Sequence, residues 1–327
     1  MTFLSATYKR LGFTLIELLV VMAIIALMLA ILTPALNRTR VRARAAVCSS
    51  RVRQLVSAAV ASAVEDRHER LPRGGIRILP AGASLLSNTP RYSVYPPVTP
   101  PPAETPSEWI IDDATEMQVE EYFKIGAAAT GLPAGFGGLM SVDEVDRLGR
   151  QLHQGALKKL FVCPETDGRG DAFSSSLPMY RGQPQFRPVI VPYSIGGQSR
   201  WVVRTGYLYF GGFDTSVWPQ EQTLGGFQIR PFRAPIKLSD SGSGVLMTDP
   251  LWLWPQQNQL IIPHTSRGYL QTSGQMVRTP PQQSFGSAGT TIGRLDGSVA
   301  YRLLRDLDIR AAYCQNGQFS TDLLTLF

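Results

Sequence analysis

Cysteine and histidine are scarce: the 327 residues hold three of each. Cys48, Cys163 and Cys314 form no CxxC pair, which excludes zinc-finger spacing and a small disulfide-framed scaffold. His68, His153 and His264 have no cysteine at ligand spacing, so each is expected to be a surface or packed residue. Enzyme signatures are missing too. There is no GxxxxGK[ST] loop, no GxSxG elbow and no HExxH, because His68 and Glu69 run on into Leu71 and Pro72. These absences point away from an enzyme and offer no resident cofactor. A distant His, Ser and Asp could still meet in space.

Charge is also thin, at 17% of residues against roughly 25% in an ordinary soluble domain. Lys plus Arg exceed Asp plus Glu by 32 to 25, yet Gly74 to Phe327 holds 21 of each sign. The surplus lies in the stretch from Arg38 to Arg73, with nine Arg against Glu65, Asp66 and Glu69. A nucleic-acid partner is therefore not expected, since the bulk of the chain has no excess of cations to neutralise phosphates.

What the sequence does contain is an apolar run, Phe13 to Leu32, with Glu17 as its single charge. Twenty helical residues at 1.5 Å each span about 30 Å, the thickness of a bilayer core. A secretory signal peptide is the weaker reading, because its apolar region is about 7 to 15 residues and no convincing A-x-A site follows. A carboxylate inside a membrane span costs about 2.5 to 3.5 kcal/mol and calls for a cation. None of the next twenty residues is basic, but Phe13 lies four positions earlier on the same helix face. Cleavage before Phe13 would place a charged amine there.

Residues Lys9, Arg10, Leu11, Gly12, Phe13, Thr14, Leu15, Ile16 and Glu17 resemble the processing site of type IV pilins and type II secretion pseudopilins. The resemblance implies that a prepilin peptidase cuts between Gly12 and Phe13 and methylates the Phe13 amine. It also implies that Glu17 serves filament assembly by pairing with the Phe13 amine of a neighbour. Gly12, lacking a Cβ, suits an extended chain in a protease cleft, and Lys9 with Arg10 favours the cytoplasmic face. Pro34 matches the family's helix-bending proline, and we read it as a bend and not an end.

Beyond it, Arg38, Arg40, Arg42 and Arg44 set four positive charges beside the membrane on two sides of a helix, with anionic headgroups as expected partners. Their number favours the opposite orientation by the positive-inside count, but cleavage requires the leader in the cytoplasm and the head outside. Val52, Val56, Val60 and Val64, at spacing four, form a stripe suited to packing the helix on a neighbour or on its own head.

Pro72 to Pro106 carries nine prolines in 35 residues and is expected to be an extended linker or surface loop. Ile110, Ile111, Ala114, Met117 and Tyr122 are then spaced like one helix face, with an acidic, solvated side. Past about Gly155, short apolar runs at 189–191, 201–203, 207–210, 245–247 and 260–262 read as antiparallel strands. Thr290 to Leu304 reads as a hairpin turning at Asp296-Gly297, with the positive φ angles of a type I′ turn. Trp201, Tyr207, Tyr209, Phe210, Trp252 and Trp254 are expected in the core rather than on a binding face. Asp167 and Asp171 are a candidate calcium pair, although Arg169 between them would repel the ion.

Head segments around Cys48, Leu71–Pro72, Leu160 to Pro164 and Leu295 to Val299 resemble long-headed bacterial pseudopilin-like proteins. Some relatives place a His ten residues before the Asp-Gly pair, where this chain has Gly286, and its nearest upstream His is His264. In an oxidising compartment one disulfide could form and leave one thiol. Spacing does not choose the pair, and Cys48 with Cys163 is the candidate.

The expected fold is α+β: a long N-terminal transmembrane-plus-stem α-helix followed by a mainly antiparallel, pilin-like β head. The expected segments are a leader at 1–12, a membrane helix at 13–33, a stem at 34–70, a linker at 71–106 and a head at 107–327. Expected partners are the prepilin peptidase, other pilin or pseudopilin subunits, an inner-membrane assembly platform and membrane lipids. The implied location is the bacterial inner membrane, single-pass, with the head in the periplasm or at the cell surface.

Overall fold

The computed structural model describes residues 14–78, 109–114, 116–131, 159–166, 189–195, 198–213, 221–224, 227–254, 259–265, 268–273, 288–311, 313–315, 318–319 and 324–327. A single helix, α1, runs unbroken over Leu15–Glu65, about 76 Å at 1.5 Å per residue. Pro34 sits inside it, so the proline does not end the helix. The Thr33 hydroxyl donates to the Leu29 carbonyl at 2.7 Å beside this break in the amide ladder. Such a bond helps a helix carry a proline where water is scarce.

The helix stops at Glu65, five residues short of the expected stem end. There the Asp66 carboxylate accepts from the His68 and Arg70 amides at 2.8 and 3.4 Å, and this local turn competes with helical bonding. Those two bonds hold Asp66 below the usual carboxylate range. The chain at Leu71 to Gly75 is packed into the head, with Leu71 and Pro72 buried, rather than forming a free linker. The remainder of the proline-rich stretch, 79–108, lies outside the described residues.

The expected helix face over Ile110 to Met117 is corrected. Trp109–Asp113 and Glu116–Gln118 are strands, and a second helix, α2, begins only at Val119 and runs to Thr130. Five apolar positions fit a 3.6-residue period there, but Trp109, Ile110 and Ile111 favour extended backbone, and pairing decides. Met117 lies opposite Val203, and Ile111 opposite Ile76.

Among the described residues the strands form three sheets. One joins Ile76–Ile78, Trp109–Asp113, Tyr313–Gln315 and Gln318–Phe319, and a second joins Glu116–Gln118, Gln198–Arg204 and Val189–Ile195. The largest orders Leu208–Tyr209, Val245–Thr248, Gly289–Arg294, Gln259–Thr265, Trp252–Trp254, Leu324–Leu326, Ile309–Ala311, Phe227–Ile229 and Gln222–Leu224. Gly268–Ser273 pairs with the Gln259–Thr265 strand, and Val299–Leu303 with Gly289–Arg294. Every pairing of named strands is antiparallel except that of Phe227–Ile229 with Ile309–Ala311.

The hairpin expected around Asp296-Gly297 is present, joining Gly289–Arg294 to Val299–Leu303. Its turn is not type I′. Gly297 alone has a positive φ, 81°, while Gly297 N donates to Arg294 O and Arg294 N to Ser298 O. That is a three-residue loop, a type I turn closed by a glycine bulge, which needs one left-handed residue instead of two. Asp296 accepts from the Ser298 amide at 2.8 Å, in the turn-forming role expected of it.

Two cores result. One is built around Phe210, Phe213, Trp252 and Ile261 between the strands. The other lies where Cys48, Val52, Leu55, Val56, Ala59 and Ala63 of α1 meet α2 and the large sheet. Tyr207, Tyr209, Phe210 and Trp252 are buried, as expected. The side chains of Trp201 and Trp254 lie outside the described residues.

Candidate functional site

Two parts of α1 face different surroundings. From Leu15 to Leu36 its large apolar side chains are exposed, Leu15 by 80% and Ile16 by 75%, so this half finds no cover in its own chain. It is long and apolar enough to cross a membrane and fits a single-pass anchor. At its start, Glu17 closes a capping box: Thr14 donates from its amide at 2.8 Å and its hydroxyl at 2.7 Å, and the Glu17 amide donates back to the Thr14 hydroxyl at 3.2 Å. Glu17 therefore has a local partner in an isolated chain. Gly12 and Phe13 lie outside the described residues, as do Asp167 and Asp171.

The other half of α1 is covered on one face by the head. Gly293 permits this, since a Cβ there would sit 2.7 Å from side-chain atoms of both Val52 and Val56. All four arginines, Arg38, Arg40, Arg42 and Arg44, are exposed. Arg44, its side chain 50% exposed, also pairs with the buried Glu165 carboxylate at 3.3 Å. Arg51 donates to the Val162 carbonyl at 2.5 Å. Both contacts hold the loop carrying Cys163 against the stem.

One turn before Val52, Cys48 meets Cys163, Asp249 and His264, and the four ligand-type atoms lie within 4.8 Å of one another, all buried. Each comes from a different part of the fold: the stem helix, the loop after Phe161, the end of the Val245–Thr248 strand and the Gln259–Thr265 strand. The Cys48 thiol donates to Asp249 Oδ1 at 2.8 Å and lies 3.3 Å from the Tyr207 hydroxyl. His264 Nε2 lies 3.1 Å from Asp249 Oδ2 and 3.5 Å from Cys163 Sγ. The Thr291 amide donates to Asp249 Oδ2 at 2.8 Å and fixes the carboxylate.

The electrostatics follow from this crowding. Burial opposes charge on His264, but the adjacent Asp249 carboxylate overcomes it and raises the imidazolium to about 11. Burial likewise opposes the Asp249 charge, and His264 holds that carboxyl below its ordinary value. Burial would raise Cys163, yet hydrogen bonds from Cys48 and His264 bring it down to about 7. Cys48 is pushed up, first by burial and then by Cys163 and Asp249.

Cys48 and Cys163 are brought together as free thiols, not as the candidate disulfide. His264 is packed, as expected, but it has the two cysteine companions that sequence spacing did not offer. The Cys314 side chain lies outside the described residues.

The chemistry open to the cluster is limited by its shape. Asp249 and Cys163 both approach the same imidazole nitrogen, Nε2, whereas an activated Cys-His-Asp system uses one ring nitrogen for each partner. A mixed set of two sulfurs, one nitrogen and one carboxylate suits a borderline-soft metal ion.

Residues 8–33 match the family model for the prokaryotic N-terminal methylation motif. No curated protein and no solved structure matches the chain. Together with the long apolar helix, the motif fits a type IV pilin or pseudopilin, and the long helix with its antiparallel-rich head is a pilin-like α+β architecture. The motif implies processing by a prepilin peptidase and association with other pilin-type subunits.

Proposed function

We propose that this prepilin-like chain is a subunit of a type II secretion or type IV pilus-like filament, cleaved after Gly12, N-methylated at Phe13 and assembled through its N-terminal helix. The observation that carries this reading is the methylation motif at 8–33 leading into a helix whose apolar first half has no cover from its own head. Such a surface must be buried in lipid before assembly and among neighbouring helices after it. In that setting the Phe13 amine of one subunit competes with Thr14 for the Glu17 carboxylate of another, and an ion pair that compensates two charges in an apolar bundle wins over capping bonds from neutral donors. The assembly platform and headgroup contacts through Arg38, Arg40 and Arg42 belong to this proposal, as does a head placed outside the inner membrane.

A second reading, a minor or tip subunit that binds a polymer, surface or secreted substrate, is favoured by a groove of about 750 Å³ at the junction of stem and head. Glu65, Arg73, Glu121, Lys124 and Lys237 line it, charges of both signs suited to a polar ligand. Copy number in purified filaments separates the two roles. The Cys163, His264 and Asp249 group lends a hydrolase reading no support, because it is buried and shares one ring nitrogen.

Processing is tested by mass spectrometry of the membrane-bound chain, in cells with and without the prepilin peptidase. The expected product begins with methylated Phe13 only when the peptidase is present. Recovery of an intact Met1 chain beside an active peptidase, or of a soluble chain starting beyond Leu32, overturns the reading.

A further inference from the structure

We propose that Cys48, Cys163, Asp249 and His264 bind a single zinc-class metal ion that ties the stem helix to the head. Four protein ligands in a closed, buried setting make a structural rather than a catalytic site. With metal–sulfur bonds of about 2.3 Å and metal–nitrogen or –oxygen bonds of about 2.0 to 2.2 Å, donor atoms of a tetrahedral site lie about 3.3 to 3.8 Å apart. His264 Nε2 lies 3.5 Å from Cys163 Sγ and 3.1 Å from Asp249 Oδ2, close to that range; the Cys48–Asp249 Oδ1 contact of 2.8 Å is shorter because a thiol proton bridges it, and with all four donors within 4.8 Å of one another small side-chain shifts would close the shell.

A disulfide would use the two sulfurs and leave Asp249 and His264 as an unexplained buried pair beside them. An ion uses all four. A hard cation such as calcium is disfavoured by the thiol and imidazole donors, which it binds poorly. Binding requires both cysteines as thiolates and His264 as neutral imidazole, so the protons that the cluster holds leave to solvent as the divalent ion enters. The outer contacts suit the role. Tyr207 reaches Cys48, the Thr291 amide holds Asp249, and Arg51 anchors the Val162 carbonyl next to Cys163.

The consequence is mechanical. Cys48 belongs to α1, while the other three ligands belong to the head, so the ion would couple head folding to the seating of the stem. A subunit lacking the ion would present a loosened head on an intact membrane anchor.

The experiment uses the full chain, purified from membranes in detergent without chelator, dialysed against zinc and then freed of loose ion. Elemental analysis is expected to find one zinc per chain, and cobalt in its place is expected to give the visible bands of a tetrahedral thiolate site. Cys163→Ser and His264→Gln should each abolish stoichiometric binding. Should those variants fail to fold, Tyr207→Phe keeps the packed ring and is expected to weaken zinc roughly 10- to 100-fold. A native protein that retains no zinc, or whose peptide map shows Cys48 joined to Cys163, overturns the proposal.

Discussion

Gly293 shows how one missing atom can decide where a helix lies. The strand that carries it crosses under α1, and a side chain at that point would collide with Val52 and Val56 at 2.7 Å. Met247 lies opposite on the neighbouring strand, so the sheet has little room to yield. Gly293→Val is therefore expected to destabilise the head by about 1 to 3 kcal/mol through overpacking, read as a lower midpoint in urea or thermal unfolding. A variant as stable as the parent would mean that the stem does not press on the sheet there. Nothing in the sequence marks this glycine, because its constraint comes from residues more than two hundred positions away. Separation along the chain also hides the cluster of Cys48, Cys163, Asp249 and His264, whose successive members lie 115, 86 and 15 residues apart. Motif spacing exposes a site only when its ligands share an element, and these four share none.

At the scale of elements, the signals that could be read were local ones. The apolar run became the first half of α1, the Asp-Gly pair became a turn, and runs such as Leu260 to Ile262 became strands. The segment from Ile110 to Met117 went wrong because a short apolar pattern fits both periods, and partners elsewhere chose the strand. The valine stripe was read correctly only in part. Val52 and Val56 are fully buried and Val60 packs partly, but Val64 is 67% exposed, since a straight spacing of four drifts around a helix of 3.6 residues per turn. Leu55, Ala59 and Ala63 complete the covered face instead. Truncating the buried Leu55 to Ala should cost about 2 to 5 kcal/mol, whereas Val64→Ala should stay within about 0.5 kcal/mol. Equal effects in a denaturation series would place the head on a different face of α1.

For the molecule as a whole, the question is how one long helix serves two environments. Its second half is held by the head through apolar packing, the Arg44–Glu165 pair and the four-residue cluster, so the head travels as part of the stem. Its first half has only Glu17 as a polar group between Leu15 and Leu32, and in the isolated chain Thr14 occupies that carboxylate. Thr14 remains after cleavage at Gly12, so the capping contact survives processing and must yield, or be shared, when a neighbouring amine arrives. Glu17→Leu removes the acceptor for both partners while adding apolar surface, which favours insertion. The expected outcome is a chain that is made, processed and retained in the membrane at normal levels but absent from sheared filament fractions. Glu17→Gln, which can still accept from Thr14 but cannot form an ion pair, should fail in the same way. Filaments of normal yield from Glu17→Gln would show that neutral capping suffices, and the charge-pairing step would have to be abandoned even though the anchor and the head remained as described.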